Sequence, residues 1–335
     1  MNADLTGRRG RKETQKAQKA QKNSQIVLGF LLRPLRTFAP FAFLNLKARG
    51  RAAVLLICAV AATAQATQVT DDRGVTVTLP QAPRRIVTLL PSLTEVVCAL
   101  GRCDRLVGVD RYSDYPASVR ALPQLGGGLD PNIEGVVALR PDVVLMATSS
   151  RAVQRLESLG VKVVALEPHD AADVQRVIAR IGDVLGVPDA QRLWREIDAG
   201  VNAAAASIPP AARNTRVYFE VGRGPYAAGE ASFIGETLTR LGAKNIVPRS
   251  EGPFPKINPE FVVRADPDLI MISQNAAPQL EQRPGWASLR ALREGRLCVF
   301  SPEDSAVLVR PGPRMAQAAQ LMARCITRKG AGSAR

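Results

Sequence analysis

Histidine is almost absent from this chain: His169 is the one example in 335 residues. A bare zinc or manganese ion ordinarily gathers several His, Cys or carboxylate ligands, and no CxxC spacing stands in for the missing imidazoles, so no resident metal is expected. One histidine also leaves little basis for a Ser-His-Asp grouping, and no G-x-S-x-G, H-E-x-x-H or Walker A sequence occurs. We therefore expect no catalytic residue and no enzyme. Long apolar runs are missing as well: AAVLLICAVAA, Ala52 to Ala62, has eleven residues, whereas a bilayer needs about 20. Acidic residues are scarce near the N-terminus. Twelve of the 45 basic residues and two of the 30 acidic ones precede Thr67, so the formal charge of +15 shrinks to about +5 over the rest of the chain. That is an ordinary soluble surface, and no nucleic-acid partner is expected.

What the N-terminus does contain reads as targeting. KARGR (Lys47 to Arg51) is a basic n-region, Ala52 to Ala62 an apolar h-region, and Ala64-Gln65-Ala66 an A-x-A cleavage site. Residues 1–66 are thus expected to be an extension and signal peptide, cleaved after Ala66, with the mature protein periplasmic. A lipoprotein anchored at Cys58 is disfavoured because Ile57 occupies a position that needs a small residue. The first 45 residues are long for an n-region, and a translation start further downstream is expected. Four cysteines would survive cleavage: Cys98, Cys103, Cys298 and Cys325. Cys98 and Cys103 are the pair closest in sequence, but connectivity stays open and buried free thiols fit equally well.

From Arg85 onward, short β-branched runs alternate with helical stretches, which argues for α/β architecture with parallel sheets. RIVTLL, RLVGV, DVVLM and VKVVAL are strands of a first lobe (67–170); RVYFEV, DLIMI and RLCVF are strands of a second (211–335). Between them, 171–210 shows helical apolar spacing, divided by Gly186 and Pro188. A helix from Asp189 to Ser207 would be about 28 Å long at 1.5 Å per residue. The fold class is therefore two Rossmann-like α/β lobes joined by a long backbone helix, with the ligand cleft between them. Ser92, three residues before Glu95, has the spacing of a capping box.

One phrase occurs twice. IEGVVALRPDVVLM (133 to 146) and NPEFVVRADPDLIMI align Glu134 with Glu260 and Pro141-Asp142 with Pro267-Asp268. A lone Glu at a helix start is adequately explained by the helix dipole; equivalent carboxylates on two similar lobes also suit a pseudo-symmetric partner. GRGPYAAG (Gly222 to Gly229) follows a strand as a dinucleotide loop would. Its glycines, however, are spaced G-x-G-x-x-x-x-G and Pro225 interrupts them, so an exported oxidoreductase has weak support.

LPSLTE (Leu90 to Glu95), RLVGVDRYSDYP (Arg105 to Pro116), NIEGVVALRPDVV (Asn132 to Val144) and GPFPKINPEFV (Gly252 to Val262) carry a specific likeness. From about Arg84 to Ile326 the chain resembles the cobalamin-binding family of periplasmic substrate-binding proteins of ABC importers. The resemblance implies capture without chemistry. It also implies docking of Glu134 and Glu260 into arginine pockets of the permease subunits, so that the chain is peripheral to the membrane and is expected to be a monomer. It puts Pro91, Ser92 and Tyr112 on one wall of the cleft and Tyr226 and Phe254 on the other, where aromatic rings suit a broad flat ligand. The implied small-molecule ligand is cobalamin or another corrinoid, with an iron-siderophore or haem as the alternative, and no further cofactor. Tryptophans that some members place on this wall appear here as Gly128 and within Ala147 to Ser150.

Overall fold

The computed structural model describes residues 66–330 other than 223; the expected extension, the basic and apolar parts of the signal peptide and Cys58 lie outside them. An antiparallel hairpin comes first, β1 (Thr67–Thr70) with β2 (Thr76–Leu79). The alternating repeat then begins with β3 (Ile86–Thr88), α1 (Pro91–Ala99), β4 (Leu106–Val109), α2 (Ile133–Ala138), β5 (Val143–Met146), α3 (Val153–Ser158) and β6 (Val163–Ala165). After α4 (Ala171–Leu185) and α5 (Gln191–Ala206) it runs again: β7 (Arg216–Phe219), α6 (Phe233–Arg240), β8 (Lys244–Asn245), α7 (Pro259–Ala265), β9 (Leu269–Ser273), α8 (Arg290–Arg293) and β10 (Leu297–Phe300). Helices α9 (Pro302–Leu308) and α10 (Met315–Lys329) follow.

The two sheets are parallel and ordered β4-β3-β5-β6 and β10-β9-β7-β8. Counted within each lobe, both read second, first, third, fourth. Helices cover both faces of such sheets, which is why β5 can be apolar at every position and fully buried.

The repeated phrase has a structural task that the sequence reading did not foresee. Asp142 accepts from the backbone N–H groups of Arg84 and Arg85, and Asp268 from that of Arg216, so each aspartate pins the start of its lobe's first strand to the third. The arginine that opens each first strand reaches back: Arg85 donates to the carbonyls of Leu139 and Arg140, and Arg216 to those of Ala265 and Asp266. These carbonyls lie where α2 and α7 end, so the arginines satisfy acceptors that the helices leave open.

The expected capping box at Ser92 is not formed. Helix α1 starts at Pro91, its N-cap is Leu90 with no side-chain bond, and Ser92 is already inside the first turn. Glu95 is drawn away because two guanidiniums hold it more strongly than one backbone N–H could.

Helix α5 matches the expected connector closely and is about 24 Å long. It packs against α10 so tightly that a Cβ on Gly200 would lie 2.5 Å from that of Ala316. The sequence reading missed α10, although Met315, Ala319, Met322 and Ile326 are buried at helical spacing. Among the described residues no helix is long and apolar enough to cross a membrane.

All four cysteines pair, Cys98 with Cys103 and Cys298 with Cys325. The second bond staples α10 to the edge strand β10 across a sequence separation of 27. Closing a loop of that length removes unfolded-chain entropy worth about 3–4 kcal/mol. The double variant Cys298→Ser/Cys325→Ser should therefore unfold at a clearly lower urea midpoint, whereas breaking the five-residue Cys98–Cys103 loop should cost less.

Candidate functional site

Both sheets direct the C-terminal ends of their strands at one cleft of about 600 Å³. Leu90, Pro91 and Ser92 follow β3, Tyr112 follows β4, Glu220 follows β7 and Gln274 follows β9. Open parallel sheets bind ligands in this crevice, beside the strand where the chain's direction of winding reverses.

The RYSDYP stretch is a positioning device for Tyr112. Asp110, with no solvent exposure, accepts the Tyr112 N–H at 3.0 Å and the Ser113 hydroxyl. Ser113 continues to Thr94 and Thr94 to Thr88, each at 2.7 Å. Burial raises the Asp110 pKa despite these bonds. The turn is thereby nailed to β3 and α1, and the Tyr112 side chain is left 60% exposed in the cleft.

Beneath it lies an ion cluster that ties the first lobe to the segment between α9 and α10. Glu95, 3% exposed, accepts from Arg310 at 3.0 Å and from Arg314 at 2.8 and 2.5 Å. Arg310 also donates to Asp114 at 2.7 Å and to the Tyr112 carbonyl at 2.8 Å, while Arg314 lies 4.3 Å from the centre of the Tyr115 ring. Burial would raise the Asp114 pKa, but the Arg310 hydrogen bond and charge outweigh it and hold it below the ordinary carboxylate value. On the opposite wall, buried Glu220 takes a bidentate pair from Arg283 at 2.5 and 2.8 Å and a bond from the Tyr218 hydroxyl at 3.2 Å. Burial and the Glu220 charge push the Tyr218 pKa up. Glu220 and Arg310, the charged groups lining the cleft among the described residues, are thus already paired within the protein. The surface left for a ligand is mainly apolar, with Tyr112, Gln274 and Asn275 as exposed polar contacts.

Of the expected wall residues, Pro91, Ser92 and Tyr112 line this cleft. Tyr226 and Phe254 are not among its lining residues: Tyr226 is half-exposed in a loop bridged to Lys256, and Phe254 packs edgewise on Phe233 at 5.9 Å. Glu134 and Glu260 are exposed in the first turns of α2 and α7, behind the capping side chains of Asn132 and Asn258. Gly128 sits against Leu89, whose carbonyl oxygen would be 2.8 Å from a Cβ there, so an aromatic side chain has no room at that point. Thr148 and Ser149 are held by the Glu167 carboxylate. The exposed His169 lies in the loop between β6 and α4. After β7 the chain forms β-bridges, Glu220 with Ala227 and Tyr226 with Lys256, instead of entering a helix directly as a dinucleotide loop would. Among the described residues no group of three or more His, Cys, Asp or Glu side chains could hold a metal.

A family model described as periplasmic binding protein matches residues 86–303, which takes in both parallel sheets. The chain belongs to the periplasmic binding protein family. It is similar to the uncharacterized ABC transporter substrate-binding lipoprotein YvrC of Bacillus subtilis, at 28% identity over 76% of this chain and 84% of that one. It is 29% identical to the vitamin B12-binding protein of Salmonella paratyphi A, over 73% of this chain and 91% of that one. Among solved structures, a periplasmic heme-binding protein from Pseudomonas aeruginosa aligns with a TM-score of 0.62 and 30% identity, covering 73% of this chain and 92% of that one. The family is a class of extracytoplasmic binding proteins, and the resemblance expected from the motifs is confirmed with the two-lobed fold.

Sequence reasoning missed Arg310, Arg314 and Gln274 as parts of this periplasmic binding protein's site. RPGPR (Arg310 to Arg314) has no periodicity to flag it, and its carboxylate partner Glu95 lies more than 200 residues earlier. Removing that charge leaves Arg314 without its hydrogen-bonded counter-ion and costs Arg310 one of its two carboxylates, so Glu95→Gln should destabilise by about 3–5 kcal/mol in chemical denaturation. The lowered Asp114 pKa contributes stability that is present above its unfolded value and disappears as pH falls through the folded one. Wild type should accordingly lose stability toward acid pH, and Asp114→Asn should flatten that part of the pH profile.

Proposed function

We propose that the mature chain, exported to the periplasm by cleavage after Ala66, captures a corrinoid such as cobalamin and delivers it to an ABC importer without chemistry. One observation carries the ligand class. Among the described lining residues there is no His, Cys or Met, and the carboxylate of Glu220 is consumed by Arg283, so the wall suits a broad apolar molecule whose metal arrives already chelated. The vitamin B12-binding relative supports this reading. The same pairing argues against catalysis, since among the described lining residues the one carboxylate is already held by an arginine. The forked path after β7 argues against the oxidoreductase alternative.

Calorimetry with cyanocobalamin and cobinamide should show saturable, one-to-one binding; silence toward both overturns the corrinoid assignment. A haem reading has one specific point in its favour. Tyr112 is exposed in the cleft, and a tyrosinate can ligate haem iron. Tyr112→Phe separates the two. It should weaken corrinoid binding by no more than about 1 kcal/mol, the scale of a lost hydrogen bond; if haem is the ligand, the same change abolishes the tyrosinate spectrum of the bound iron.

Glu134 and Glu260 are proposed to dock the monomer onto basic pockets of the two permease subunits, one per lobe. Their exposure supports this, and so does their equivalence at the head of matching capped helices. Glu134→Arg/Glu260→Arg should leave ligand affinity unchanged and shift stability by no more than about 1 kcal/mol, while uptake collapses through like-charge repulsion. Normal uptake by the double variant removes the docking role, and lost ligand affinity relocates the two residues to the cleft.

A further inference from the structure

Strand β10 stands at one end of the second four-stranded sheet, and its outer edge is open. On the inner side, the N–H groups of Ile270 and Gln274 donate to the carbonyls of Arg296 and Phe300, so by the alternation of a strand Leu297 and Val299 turn their backbone groups away from the sheet. Lys329 closes the start of this edge: its Nζ donates to the Gly295 and Leu297 carbonyls at 3.1 and 2.9 Å. A lysine so placed guards an edge against uncontrolled pairing. Past it, Val299 keeps its N–H and C=O without a partner among the described residues, and its side chain is 46% exposed.

Between this edge and α10 lies a groove of about 420 Å³ that shares only Phe300 with the lining of the ligand cleft. Cys325 is bonded to Cys298, and Lys329, one turn further along the helix, reaches back to Leu297, so α10 runs beside β10 in the opposite direction. It brings Arg324 and Arg328 to the groove, both exposed. Among the described residues Arg324 has no ion pair, and the Arg328 guanidinium donates only to the Arg324 carbonyl, at 3.4 Å. The helix dipole favours cations in a last turn, but two unpaired like charges four residues apart repel. Four helical residues advance about 6 Å, close to the step of about 6–7 Å between alternate residues of a strand. We infer that the β10 edge docks an extended acidic segment of a partner protein, which adds as a fifth strand and sets alternate carboxylates on Arg328 and Arg324. Main-chain bonds to Val299 hold the segment, and its charges select it. A second copy of this chain is the wrong occupant, because edge-to-edge pairing would bring two sets of arginines together. The inference is independent of what the cleft binds.

The test follows the fluorescence anisotropy of a capped peptide of alternating Glu and Val added to the full mature chain. It should bind saturably, and a Lys/Val counterpart should not. Arg324→Glu/Arg328→Glu should weaken the Glu/Val peptide about tenfold or more and accept the Lys/Val one instead. Melting temperature should hardly move, because both side chains are exposed. A Glu/Val peptide N-methylated along one edge keeps its charge but loses its main-chain donors, and it should not bind. Equal binding of the N-methylated peptide reduces the groove to a charged patch and overturns strand addition. Silence of the Glu/Val peptide overturns the inference, as does an affinity that ignores the charge reversal. Sedimentation of wild type as a dimer that the peptide dissociates also overturns it, since the occupant is then a second copy.

Discussion

A carboxylate buried between two guanidiniums holds the working geometry of this protein. Glu95 on α1 is fastened to Arg310 and Arg314, and Arg310 goes on to grip Asp114 and the Tyr112 carbonyl. Desolvating such charges costs several kcal/mol per ion, and the hydrogen bonds to both oxygens of Glu95 offset that cost. The contact joins the start of the first lobe's sheet to the segment that precedes α10, and α10 in turn packs along the connector α5. Separating the lobes would therefore break a dry ionic contact as well as bend a helix. That contact resists opening of the cleft.

Preorganisation of this kind also explains the chemistry of the cleft. Glu220 is neutralised by Arg283, and Arg310 by its two carboxylates. The structure spends its ionic groups on holding the walls and leaves apolar surface, one exposed tyrosine and two amides for recognition. Such a site gains affinity through buried area and shape, and gains orientation through a few polar contacts.

The duplicated phrase carries the same structural contacts in both lobes. Its aspartates, together with the arginine at the start of each lobe's first strand, lock the first and third strands of each lobe. Its asparagines cap the helices. The glutamates are exposed in the first turns of those helices. The repetition records the shared architecture, and within it the carboxylates are free to face a partner.

Local pattern determined the parallel strands, the connector and the doubling of the lobes, because hydrophobic period and Gly/Pro punctuation act over a few residues and are written directly in the chain. Pro91, Ser92 and Tyr112, which the family resemblance rather than the local pattern put on the wall, line the cleft at the ends of strands that the pattern had already placed. The capping box failed for the opposite reason. A local bond was read where a distant pair of arginines offered a stronger one. The partners of Glu95, the pairing of Cys298 with Cys325 and the crowding that keeps position 128 a glycine all depend on segments far apart in sequence. The sequence by itself determined which elements form and in what order; tertiary structure alone decided which charges meet, because that outcome depends on distances that exist only once the two lobes are packed.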